Sequence, residues 1–133
     1  MLKSKCILAE KNIDDGQRIS IMSRHTLNDG KTPDERIWID SFDMHLPDFW
    51  PHPKLVGKYY RNEITFDNYS KEYKESLNPK QDAIKKIIES ALIENITVLC
   101  IEESPEFCHR KIFVETAQEL AQTMWMNLEI EIG

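Results

Sequence analysis

Residues 96–101 (ITVLCI) constrain the fold of this chain more than any other segment. The run lacks the regular polar alternation of a half-exposed strand, so as a strand it must be covered on both faces. Helical signals flank it. Upstream, Asn78-Pro79 is a cap followed by a first-position proline. Ala83, Ile84, Ile87, Ile88, Ala91 and Leu92 then make a stripe at the 3.6-residue period. Downstream, Ser104-Pro105-Glu106 reads as cap, first-turn proline and first-turn acid. Its stripe is Cys108, Ile112, Ala117, Leu120, Ala121 and Met124. Helix, buried strand and helix in succession predict an α/β fold, with a small mixed or mostly parallel sheet flanked by helices.

The remaining elements are read from shorter signals. Residues 5–9 (KCILA) and 18–23 (RISIMS) read as strands, with turns at Asp14-Asp15-Gly16 and Asn28-Asp29-Gly30. Between residues 40 and 62 periodicity fails, and Pro47, Pro51 and Pro53 argue against a continuous helix or a central strand. Thr65 can cap a helix to about residue 77, with Phe66, Tyr69 and Tyr73 on one side. Residues 127–132 (NLEIEI) alternate as a final strand. A chain of 133 residues is one domain, with a core large enough to need no disulfide or metal staple.

Composition excludes several functions. The net charge of −6 is a poor match to an extended nucleic-acid backbone. Four separated glycines provide neither G-x-G-x-x-G nor a P-loop. Three cysteines make no extracellular disulfide framework. No apolar run approaches the roughly 20 residues of a membrane helix, and no leader-like stretch opens the chain. A cytoplasmic protein with no membrane partner is expected.

In parallel sheets ligands gather at the carboxyl ends of strands. Here those ends carry Arg24 and His25 after one strand and Glu102 to Arg110 after another. Cys108 falls near a helix N-terminus, where positive partial charge favours a thiolate. His109 and Arg110 follow it, although cations there oppose the dipole. Their position makes sense if an anion binds, or if they pair with Glu102, Glu103 or Glu106 in a purely structural role. On the functional reading Arg24, Arg61 and Arg110 converge on a phosphate or carboxylate, while Tyr60 and Trp50 cover a flat group. Cys100 is a core thiol, a redox partner of Cys108, or a metal ligand. Cys100, Cys108, His109 and His25 suit zinc chemically, yet no standard zinc spacing is present.

The stretch CIEESPEFCHR resembles the signature of the domain-of-unknown-function 488 family through Cys100, Glu102, Pro105, Cys108, His109 and Arg110. Ser23-Arg24, Leu46-Pro47, Leu55-Val56-Gly57, Tyr59-Tyr60-Arg61 and Phe66 with Tyr69 and Tyr73 are similar to its earlier segments, so the resemblance spans roughly residues 18–120. It implies a compact α/β fold and draws attention to the same residues, without supplying an activity.

These readings lead to a pocket for a small anionic ligand or nucleotide. Cys108 is the nucleophile or redox centre, His109 or His25 moves protons and Glu102 orients one of them. Arg24, Arg61 and Arg110 hold the anion, and no cofactor is implied. The alternatives are a non-catalytic binding or adaptor module with a structural Cys-His-Arg motif, and a Cys/His metal site.

Overall fold

The computed structural model describes residues 1–27, 29–102 and 105–133. Among them, five strands form one parallel sheet: β1 (Leu2–Cys6), β2 (Gln17–Ser20), β3 (Met44–His45), β4 (Ile96–Cys100) and β5 (Ile130–Ile132). Their order is β3-β2-β4-β1-β5, parallel at every pairing. Every residue of β4 is buried, as its unbroken apolar run requires. The helices are α1 (Pro53–Tyr60), α2 (Phe66–Ser76), α3 (Gln81–Ala91) and α4 (His109–Thr123).

Register decides which side chains share a face. Leu2 pairs with Ile96, and Val98 with Ile19. These four join Ile84 and Ile88 of α3 and Phe113, Val114 and Ala117 of α4 in the main core. Each fully buried large aliphatic or Phe side chain contributes about 1.5–3 kcal/mol by leaving water.

The opposite face is chemically different. Lys3, Lys5, Arg18, Ser20 and Thr97 alternate with the core residues, and irregular chain meets them. The Thr97 hydroxyl donates to the Asp15 carbonyl and Arg18 Nε to the Ser41 carbonyl. Arg18 and Lys5 both reach the Asp15 carboxylate. Burial alone would raise that carboxyl, but the Asn12 N–H, Lys5 and Arg18 outweigh it and hold it below its ordinary value.

Gly16 closes the turn into β2 at φ +62, and a Cβ there would meet the Asn95 carbonyl oxygen at 1.9 Å. Glycine is therefore required by both backbone angle and space.

Several boundaries differ from the sequence expectation. The first strand is residues 2–6 rather than 5–9, because Ile7 turns away into a second apolar cluster with Met22, Leu99, Cys100 and Cys108. The span 40–62 contains the edge strand β3 and helix α1. Pro53 is the first residue of α1, where a missing N–H costs nothing, and the His52 ring accepts from the Lys54 N–H. Asn78–Lys80 and Pro105–Phe107 are short 3-10 turns ahead of α3 and α4. Helix α4 thus begins at His109, with Cys108 in extended conformation at its cap. Ser104, the expected cap, and Asn28, in the second expected turn, lie outside the described residues.

Candidate active site

Strands β2 and β4 are parallel neighbours, so the two sequence segments singled out at their ends meet at one edge of the sheet. Cys100 is the last residue of β4, and Cys108 is the residue before α4. Both are buried and neither is in a disulfide. His109 Nδ1 lies 3.6 Å from Cys100 Sγ and 3.8 Å from Cys108 Sγ. Its other nitrogen, Nε2, lies 3.3 Å from the Ile21 carbonyl oxygen. A carbonyl only accepts, so this contact assigns the ring hydrogen to Nε2 and leaves Nδ1 facing the sulfurs. Trp50 and Tyr73 meet the imidazole edge-on, with ring centroids 4.7 and 5.6 Å away. Tyr73 is itself anchored by its hydroxyl, which donates to the Phe49 carbonyl at 2.7 Å.

The two thiols are driven apart electrostatically. Burial, and then its bond to Cys108, pushes Cys100 well above the usual thiol range. Cys108 is held well below that range, chiefly by the neighbouring Cys100 thiol. Burial opposes this, and the His109 ring favours the thiolate only when it is protonated at Nδ1 as well. The backbone N–H of Arg110 adds to the effect without completing a cap hydrogen bond.

A cavity of about 20 Å³, room for about one water, lies over Cys108 and His109. Trp50, Tyr60 and Glu102 also line it. The Tyr60 hydroxyl donates to Glu102 Oε1 at 3.2 Å. Burial, followed by the charge of Glu102, pushes the Tyr60 phenol up to about 12. A larger groove of about 570 Å³ lies between β2, β3 and α3, but neither cysteine nor histidine lines it. Chemistry therefore favours the smaller cavity.

Of the nine expected site residues, Cys108, His109, Glu102, Tyr60 and Trp50 come together here. The other four do not line the cavity. His25 stacks on Phe42 and tilts against His45, with centroids 4.5 and 4.4 Å away, and its Nε2 contacts Ser20 Oγ at 2.7 Å. Burial, and secondarily the charge of His45, lowers its pKa.

The three arginines have different partners. Arg24 packs its guanidinium over Gly30, and Arg61 pairs with Glu63 in solvent. Arg110 is fully buried, with Nε donating to the Gly133 carbonyl at 2.9 Å and Nη1 to the Glu102 carbonyl. These bonds account for an arginine at a helix N-terminus without an anion. Tyr59, Tyr69, Val56 and Phe107 complete the cavity lining. Tyr69 was legible as part of an aromatic stripe. The others carried no local signal that separated lining from packing.

These features define a class: a parallel α/β protein with a Cys-Cys-His cluster at the carboxyl edge of its sheet. The chain belongs to the DUF488-N3a family, described as the active DUF488-N3 subclade, whose model matches residues 3–121. The match includes β1, ahead of the segments that carried the sequence resemblance. No curated protein and no solved structure matches the chain. No helix among the described residues is long and apolar enough to cross a membrane.

Proposed function

We propose that this chain is a cysteine-dependent enzyme acting on a small ligand, with Cys108 as its nucleophile or redox centre. The observation that carries this reading is the sulfur of Cys108 at a cavity shared with His109, Glu102 and Tyr60. The lowered thiol pKa supports it. His109 Nδ1 exchanges a proton with the sulfur, and the Tyr60–Glu102 pair serves a leaving group or water across the cavity. Trp50 and Tyr60 offer ring surface to a flat group such as a nucleobase. An anionic part of the ligand meets Arg61, which is solvent-exposed and adjacent to Tyr60. Arg24 and His25, which do not line the cavity, meet a more distant part of the ligand.

The test uses hydrogen peroxide, a probe hardly larger than water. A thiolate attacks one peroxide oxygen, the O–O bond breaks, and sulfenic acid and hydroxide result, the hydroxide taking a proton from solvent to become water. Peptide mass spectrometry after brief exposure is expected to find oxidation first at Cys108, either as sulfenic acid or as a disulfide to Cys100. Cys6, the more exposed cysteine, should react later. Earlier oxidation of Cys6 in the folded protein overturns the reading.

A second reading, a non-catalytic binding module, is favoured by one specific observation. Arg110 is committed to two backbone carbonyls, as a structural motif requires. On that reading Cys108→Ser reduces stability and leaves peroxide reactivity of the chain unchanged.

A further inference from the structure

We propose that Cys100, Cys108 and His109 form a binding site for a thiophilic divalent cation, Zn²⁺ in the first instance, whose fourth coordination position faces the cavity beneath Tyr60 and Glu102. The three candidate ligand atoms lie within 4.8 Å of one another. Zinc–sulfur bonds of about 2.3 Å and zinc–nitrogen bonds of about 2.0–2.1 Å at tetrahedral angles separate sulfur from nitrogen by about 3.6 Å. The observed separations from His109 Nδ1 are 3.6 and 3.8 Å. Two edges of the ligand triangle already match a tetrahedral face, and the sulfur–sulfur edge, within 4.8 Å, closes on binding.

Three further observations agree. His109 directs its second nitrogen at the Ile21 carbonyl, the outer contact that orients metal-ligating histidines and leaves Nδ1 as the donor. The ring is held by Trp50 and Tyr73, so its direction is set before an ion arrives. Two thiolates and a neutral imidazole balance a dication, which suits a buried site where net charge is costly. On binding, Cys100 releases its thiol proton to solvent, two metal–sulfur bonds and one metal–nitrogen bond form, and no electrons are exchanged. The cavity of about 20 Å³ has room for about one water as the fourth ligand, beside Glu102.

The site goes beyond the nucleophile reading and competes with it for one sulfur. An ion on Cys108 withholds that thiolate from an electrophile, so the metal-free chain is the reactive form. His25, the other histidine suggested as a zinc ligand by composition, is engaged with Ser20, Phe42 and His45 and takes no part.

The experiment uses the full chain without an affinity tag, stripped with a chelator and titrated with Co²⁺ and then Zn²⁺. About one equivalent of cobalt is expected, with a near-ultraviolet thiolate-to-metal charge-transfer band and strong visible tetrahedral bands, both abolished by Zn²⁺. Cys6→Ser should keep the spectrum, while Cys100→Ser and Cys108→Ser should each lose charge-transfer intensity. Far-UV circular dichroism checks folding, and Cys100→Ser carries the test if Cys108→Ser does not fold. A weak octahedral spectrum, or a thiolate band lost in Cys6→Ser and kept in Cys100→Ser, overturns the site. Peroxide oxidation of the stripped protein separates the two proposals. Fast reaction at Cys108 with no cobalt–thiolate band removes the metal site alone, and the converse removes the nucleophile alone.

Discussion

Asp15→Asn tests how the polar face of the sheet is held together. The substitution is nearly isosteric and keeps an oxygen to accept from the Asn12 N–H, so it isolates the charge. Asp15 and Arg18 are 5% and 1% exposed, and the carboxylate also takes Lys5. Removing one member of a buried ion pair costs about 3–5 kcal/mol, because the partner charge stays behind in a poor solvent. Arg18 retains its bond to the Ser41 carbonyl and Lys5 is partly solvated, which favours the lower end, about 3 kcal/mol. At a urea slope of about 1.5 kcal/mol/M, the unfolding midpoint falls by about 2 M. The sign with pH is fixed by the lowered folded pKa of Asp15. Its stabilisation is fully present above the unfolded value of 3.8 and is lost as pH falls through the folded value. The wild-type and Asp15→Asn curves should therefore converge in acid. The double variant Asp15→Leu/Arg18→Met should regain most of the loss, since a buried pair is often replaceable by apolar residues of similar volume. A loss below about 1 kcal/mol for Asp15→Asn, or a gap independent of pH, refutes the reasoning.

Two further substitutions probe the supports of the cluster. Arg110→Met strips two part-buried carbonyls of a donor, so urea unfolding should show a loss of about 1–3 kcal/mol and peroxide oxidation of Cys108 should slow as residue 102 loses its anchor. Tyr73→Phe removes the bond to the Phe49 carbonyl and should cost about 1–3 kcal/mol by the same assay, with the His109 contact retained.

The second half of the chain was readable because one period and one burial requirement agree there. Residues 96–101 could only be an interior strand, and the α3 stripe has four buried residues facing the core. The elements within 40–62 were hidden for a physical reason. Proline forbids a helix interior but suits a first turn. Pro53 takes the second role because Leu55, Val56 and Tyr59, just downstream, have an apolar surface to meet. The arginines were hard to place from sequence because charge indicates where an anion could bind, not where a guanidinium points. Arg110 serves the backbone of residues 102 and 133, a contact made only when the chain end returns as β5 beside β1.

The cysteines show why spacing alone leaves such a site undetermined. Cys6 and Cys100 end adjacent strands in direct register, so topology gives them equal claim to the carboxyl edge. Their surroundings divide them. The Cys6 thiol donates to the Ile101 carbonyl at 3.4 Å, and that bond turns its sulfur toward the backbone beyond β4. Cys100 instead faces the cap of α4, where Cys108 and His109 enter from a different element. A site assembled from a strand end and a helix start is joined only through its connecting loop, so residue types alone do not show that the two ends meet. Seven residues separate Cys100 from Cys108, a spacing unlike the usual redox or zinc motifs. What makes these two thiols a pair is the 3-10 turn at Pro105–Phe107, which carries the chain to the start of α4 over the end of β4. The CIEESPEFCHR resemblance set Cys100 and Cys108 apart from Cys6 in the sequence, but bringing both sulfurs to one histidine required the strand order and this turn.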